Sequence, residues 1–308
     1  MSQLTEVQRA GRLAWLGHWL YEPSRADWQE FVTWIEAKYA KSYVHTIKVY
    51  TRKYWQLVFG NPREFDIMPK TVKNNAIKSL VVLSKYLGVH KEFKQRLDEY
   101  GVKMYRPDVF ASFLRIYNNQ VTDIDQWCSR AQSVLRSNEI VWQRFLALSG
   151  LRKGEAITSF NKIIELSDKN NLDSYLNRET GILEHFRFKE LFLRGTKNVY
   201  ISILPPSLIS EIQNSTPITY EQVRKRLLKN GIKCRFLELR DYYATFMVRH
   251  GLIKEEVDLL QGRIPPSIFL RHYWSPSFME LKTRTLEALR RLASDLMKTV
   301  KDEDGWQS

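Results

Sequence analysis

Leu239-Arg240-Asp241-Tyr242-Tyr243-Ala244-Thr245 opens one helical stretch, and Leu259-Leu260-Gln261-Gly262-Arg263 closes the next. Arg271-His272-Tyr273-Trp274 follows them, and Ser149-Gly150-Leu151-Arg152-Lys153-Gly154-Glu155 stands upstream, between an apolar helix and a second helical start. Each segment carries a cation, and the last of them in chain order also carries a tyrosine, Tyr273. These segments decide how the second half of the chain is read: mainly helices, with one small sheet between the first arginine and the second.

That sheet is expected between residues 183 and 204. Leu183, Phe186, Phe188, Leu191 and Leu193 mix with charges, and Val199-Tyr200-Ile201-Ser202-Ile203-Leu204 follows Arg194-Gly195-Thr196-Lys197-Asn198. Aromatic and β-branched residues about a glycine-containing turn predict a β-hairpin with limbs 183–193 and 198–204. Pro205 and Pro206 end it. Helices are expected over 109–117, 127–148, 220–229, 239–250 and 254–260, with Gly251 and Gly262 as C-terminal stops. Residues 278–299 form a long amphipathic pattern striped by Leu281, Leu286, Leu289, Leu292 and Leu296. Such a helix packs on its own core or docks on a neighbouring subunit.

The first hundred residues read as helices. Trp28, Phe31, Val32, Ile35 and Tyr39 recur at helical spacing, as do Val44, Ile47, Tyr50, Tyr54 and Leu57. Val72, Ala76, Leu80, Leu83 and Leu87 follow Pro69 on one helix face, which Gly88 terminates. The polar faces of the latter two helices carry His45, Lys48, Arg52, Lys53, Lys70, Lys73 and Lys78, with Thr46, Thr51 and Asn74 among them. Such faces are either plain solvated surface or phosphate contacts along a groove; Lys48, Arg52, Lys73 and Lys78 are the candidates for DNA. Gly101 and Pro107 flank a short basic segment where the pattern breaks. The chain is therefore expected to divide into a helical domain, 1–103, and a second domain, 104–308.

The 308 residues allow about two domains, and 44% hydrophobic content suffices for packed cores. A net charge of +14 favours a polyanionic partner, because Lys and Arg release counterions from phosphates. The two cysteines, Cys128 and Cys234, form no CxxC or His/Cys cluster. Neither a disulfide framework nor a zinc site is expected, and a reducing, intracellular setting, the cytoplasm, is the default. The charged N-terminus lacks the apolar core of a signal peptide, and no run is long and apolar enough for a membrane span. The glycine patterns of nucleotide-binding loops are absent, as is His-Glu-x-x-His. Carboxylates do not cluster near the candidate cations, against a two-metal nuclease. No metal or cofactor is expected.

The ordered set of three arginines, a hairpin lysine and a late tyrosine resembles the tyrosine recombinase (integrase) family, closest to the integrases of archaeal viruses. The resemblance covers roughly residues 140–275 by motif and implies a helical core-binding domain followed by a mainly α catalytic domain with a small β-sheet. Gly150-Leu151-Arg152 with Glu155 resembles the first-arginine motif. Leu239–Thr245 resembles the second-arginine box, which usually reads His-x-Leu-Arg-His; Leu237 stands here where the family has His. Some archaeal integrases, including those of spindle-shaped viruses, also depart from the pattern at this box. Leu259–Arg263 resembles a Leu-Leu-Gly-His or Trp motif, with Arg263 in place of the last residue.

The resemblance implies a role for each. Tyr273, ten positions beyond Arg263, is the nucleophile that attacks a DNA phosphate to give a 3′-phosphotyrosyl link. Arg152, Arg240 and Arg263 hold the charge that develops on the nonbridging oxygens, for which guanidinium forks suit. Glu155 is placed to orient Arg152 by an ion pair. Lys197 protonates the leaving 5′ oxygen, with Arg194 and Lys189 as alternatives. Tyr242 and Tyr243 read as packing, and Arg235 and Lys233 need not face the site. The implied partner is a double-stranded DNA attachment site, bound by a homo-tetramer formed on DNA from chains that are monomers in solution, with no membrane. The implied use is integration or excision of a mobile element; chromosome-dimer resolution is another use of the same chemistry. A type IB topoisomerase-like nicking-closing enzyme and a catalytically inactive DNA-binding regulator are the alternatives.

Overall fold

Ser24 caps helix α1 (Arg25–Glu36) by a reciprocal pair with Asp27: Ser24 N–H donates to Asp27 Oδ2 at 2.7 Å and Asp27 N–H to Ser24 Oγ at 3.2 Å. The computed structural model describes residues 19–20, 22–106, 108–118, 123–194, 197–264 and 277–301. By compactness the chain divides into two units, Met1–Asn119 and Gln120–Ser308.

In the N-terminal unit α1 is followed by α2 (Lys41–Tyr54), α3 (Lys70–Leu87), α4 (His90–Glu99) and α5 (Val109–Asn118). Its core gathers the stripes expected from the sequence. Phe31, Ile35, Ile47, Leu80 and Leu83 are fully buried, joined by Trp19, Val58 and Phe65. Gly88 takes φ 78° and stops α3 as a left-handed cap. The segment after Gly101 stays with this unit: Val102 is buried, and Asn74 pairs with the Tyr105 backbone through two hydrogen bonds of 2.8 Å.

The second unit holds α6 (Ile124–Gln132), α7 (Ser137–Ser149) and α8 (Lys153–Asp168). The sequence reads 127–148 as one helix; it is two. Glu139 breaks it by accepting the Arg136 N–H at 2.9 Å, which starts α7 afresh. After α8 come β1 (Leu176–Asn177), β2 (Ile182–Leu183), the single turn α9 (Lys189–Phe192), β3 (Leu193–Arg194), β4 (Lys197–Asn198) and β5 (Ser202–Ile203). β1, β2 and β5 form a small antiparallel sheet in that order, with Leu183 opposite both Leu176 and Ser202. β3 and β4 pair antiparallel, Leu193 with Asn198 and Arg194 with Lys197. The architecture is mainly α with a small β-sheet, as expected.

The expected hairpin is paired at both ends, but its first limb is not a continuous strand. It coils through a 3₁₀ turn at His185–Arg187 and through α9. Phe188 and Phe192, four residues apart, both pack on the buried Tyr175 ring, at 5.3 and 6.0 Å. In an extended strand these two side chains would share a face but stand roughly 13 Å apart, too far to meet one ring; a helical turn brings them within about 6 Å, so packing overrides the strand pattern. A buried polar chain ties this sheet to α8. Tyr175 Oη donates to Ser159 Oγ at 2.9 Å and lies 2.5 Å from His185 Nδ1, while His185 Nε2 lies 2.7 Å from Ser202 Oγ. A neutral imidazole satisfies both contacts, and burial lowers its pKa to about 3.

The unit is completed by α10 (Pro206–Gln213), α11 (Tyr220–Lys229), α12 (Phe236–Arg249), α13 (Lys254–Leu260) and α14 (Phe278–Lys301). Leu281, Leu289, Leu292 and Leu296 are buried in the core of their own unit, where α14 packs on α6 and α12. No helix among the described residues is long and apolar enough to cross a membrane.

Candidate active site

Arg240 lies on the buried face of α12, only 4% exposed. Its Nη1 donates to the Gly150 carbonyl at 2.7 Å and its Nη2 to the Gln261 carbonyl at 2.8 Å. Gly150 stands two residues before Arg152, and Gln261 two before Arg263. One guanidinium thus fastens the loop before α8 and the turn after α13, which carry the other two candidate arginines. Burial lowers the Arg240 pKa to about 10, and the positive charges of Arg152 and Arg263 add to the effect. Arg240 remains a cation at neutral pH, inside one electrostatic cluster with Arg152 and Arg263.

Arg152 precedes α8 in extended conformation. Glu155, 2% exposed, accepts its N–H at 3.0 Å and its Nη1 at 2.7 Å, so the expected ion pair is formed. The carboxylate also suits the positive end of the helix dipole. Arg263 is more open, its side chain 51% exposed. Its N–H donates to the Asp258 carbonyl at 2.7 Å, and its Nη1 lies 3.6 Å from the Asp258 carboxylate.

Two glycines allow these approaches. Gly150 takes φ +62°, and a Cβ there would meet the Tyr243 ring at 2.5 Å. Gly262 takes φ +70°, and a Cβ there would meet the Asn198 carbonyl oxygen at 1.8 Å. The turn carrying Arg263 therefore rests, backbone on backbone, against β4. Lys197, the neighbour of Asn198 on β4, is exposed. Lys189 is exposed at the start of α9. Arg194 lies opposite Lys197 on β3. Tyr273, with Arg271, His272 and Trp274, lies outside the described residues.

Other groups around α12 are accounted for by packing. Tyr243 is 1% exposed, and burial raises its phenol pKa, which disfavours phenolate. Arg235 bonds Glu238 at 2.6 Å and Asp123 at 3.0 Å. Leu237, one turn before Arg240, is 71% exposed to solvent. Sequence reasoning missed Gln261. It is fully buried, and its Nε2 donates to the Arg240 carbonyl at 3.0 Å; nothing local in Leu-Leu-Gln-Gly-Arg announces a contact 21 residues away.

In the N-terminal unit Arg52 and Lys78 are exposed. Lys48 lies 3.8 Å from Glu36, and Lys73 is paired with Asp66 at 2.7 Å. Thr51 is not available to phosphate: it is fully buried and its hydroxyl donates to the Ile47 carbonyl at 2.7 Å. Asn74 is occupied by Tyr105. Among the described residues no group of three or more His, Cys, Asp or Glu side chains is arranged to hold a metal ion.

No curated protein matches the sequence. Residues 116–280 match the profile of the family described as archaeal phage integrase. That span contains Arg152, Lys197, Arg240, Arg263 and Tyr273, and it covers more than half of the chain. Integrases of this kind are recombinases acting on DNA. On that match, the chain belongs to the archaeal phage integrase family.

Proposed function

We propose that the protein is a site-specific tyrosine recombinase that cleaves and rejoins double-stranded DNA at attachment sites, integrating or excising a mobile element. The observation that carries this reading is the Arg240 clamp: its two carbonyl partners each stand two residues before another arginine, in one charged cluster. Fixed guanidinium groups of this kind stabilise charge that develops on a phosphate under attack. Arg240, largely enclosed, acts as the fixed centre, while the more open Arg152 and Arg263 reach the nonbridging oxygens.

Tyr273 Oη attacks the phosphorus, its proton passing to solvent or a neighbouring base. The bond from phosphorus to the 5′ oxygen breaks, leaving a 3′-phosphotyrosyl link, and Lys197 gives its proton to the departing 5′ oxygen. Reversal with a new 5′ hydroxyl restores the phosphodiester, so no nucleotide energy source is needed. The helical N-terminal part, residues 1–103, clasps the duplex through Lys48, Arg52, Lys73 and Lys78, and residues 104–308 carry the chemistry. The active assembly is a homo-tetramer on DNA. With the leucine stripe of α14 already buried in its own unit, the outer face of that helix supplies its subunit contacts.

The test is a nicked suicide duplex carrying the attachment site, incubated with wild type and Tyr273→Phe and run on a denaturing protein gel. A DNA-linked band from wild type alone supports the reading. Bands from both mean another nucleophile; no band from either, with site binding intact, means a DNA-binding regulator. Supercoil relaxation without recombination would mean a topoisomerase-like enzyme.

A further inference from the structure

We propose that Gln261 is a positioning residue for Arg240, holding it at the centre of the arginine cluster; this rests on the recombinase reading above. Two hydrogen bonds run in opposite directions between the pair. Arg240 Nη2 donates to the Gln261 carbonyl at 2.8 Å, and Gln261 Nε2 donates to the Arg240 carbonyl at 3.0 Å. The reversed amide would set two carbonyl-type oxygens against each other, so the orientation is fixed by its partner. Both residues are buried, Gln261 fully. Its Oε1 has no hydrogen-bond partner among the described residues. A leucine or methionine of similar size would fill the space without burying an unmet acceptor. The amide therefore contributes through its donor.

The consequence is geometric. The guanidinium gives one N–H to Gly150 and one to Gln261, and its remaining N–H groups keep a set direction only while α12 and the end of α13 stay in register. Gln261 locks that register from the side-chain end, as its main chain does from the other. Neither bond depends on DNA, so the cation is in place before substrate arrives, which is how preorganised charge lowers a barrier.

The experiment uses the full chain and three forms: wild type, Gln261→Leu and Gln261→Glu. Covalent adduct formation on the suicide duplex is followed in single turnover from pH 5 to 8, with site affinity and thermal midpoint measured alongside. Gln261→Leu should cleave about 10- to 100-fold more slowly at every pH, with affinity unchanged within a few-fold. Gln261→Glu should approach wild type at low pH, where a neutral carboxyl donates to the Arg240 carbonyl as the amide does. It should fall away as that carboxyl ionises. A folded Gln261→Leu that cleaves at the wild-type rate overturns the proposal. So does a Gln261→Glu profile parallel to wild type, whatever its level, because a merely structural role would not follow the carboxyl's charge. No adduct from wild type at any pH sinks the recombinase reading itself, and this inference with it.

Discussion

Gly262 lies so close to Asn198 that a Cβ on the glycine would stand 1.8 Å from the Asn198 carbonyl oxygen. The contact joins the turn bearing Arg263 to the strand bearing Lys197, 65 residues earlier in the chain than Gly262. Two proposed catalytic cations are thereby set by one backbone contact. Gly262→Ala must displace β4 and also occupy φ +70°, which L side chains rarely adopt. We expect a stability loss of at least about 1 kcal/mol and a cleavage rate reduced more than about tenfold. Urea unfolding and suicide-substrate kinetics check both. A variant with full activity would show that the contact does not set the site.

Glu155 serves the helix and the cation at once. It caps the start of α8 and holds Arg152 Nη1 at 2.7 Å. Glu155→Gln retains an oxygen for the cap but removes the charge. We expect a change in thermal midpoint of a few degrees, corresponding to about 1 kcal/mol, and a larger drop in cleavage at unchanged DNA affinity. Glu155→Ala should lose both. Equal cleavage by the Gln variant and wild type would show that Arg152 needs no ion pair.

His185 gives the fold a pH dependence of known sign. Burial lowers its pKa from 6.5 to about 3, so between these values the unfolded chain binds more protons than the folded one. Its contribution is complete above pH 6.5 and is lost as pH falls, by up to about 1.4 kcal/mol per pH unit. Unfolding free energies of wild type and His185→Gln, measured from pH 4 to 7, should diverge: wild type steeper, the variant flatter. Parallel curves would mean that the imidazole is not enclosed in solution.

Arg52 and Lys78 are exposed, whereas Lys73 already has Asp66 at 2.7 Å. If the first two touch phosphate, Arg52→Ala and Lys78→Ala should each reduce the slope of log affinity against log salt by about 1. Lys73→Ala should change it less, since its charge is partly neutralised by its partner. Binding titrations at several salt concentrations decide this; unchanged slopes would make that face plain solvated surface.

Much of the helical skeleton was legible because caps and stripes are local. The glycines at 88, 251 and 262 take positive φ after helices, and Leu281, Leu289, Leu292 and Leu296 of α14 are buried where periodicity put them, with Leu286 partly buried. These features depend on residues three or four apart, which a sequence displays directly. The break before α7 and the coiled limb before β3 were not legible, since Glu139 and the Tyr175 ring override patterns that read as continuous helix and strand. By itself the sequence determined most of the helices, the two ends at which the hairpin pairs, and the kinds and order of residues that resemble an integrase. Only the tertiary structure decided that Arg240 is enclosed and shared between Gly150 and Gln261, 90 residues before it and 21 after, and that Gly262 meets Asn198. Those contacts come from main-chain carbonyls and a missing side chain, which every sequence contains and none marks, so only packing selects which of them meet.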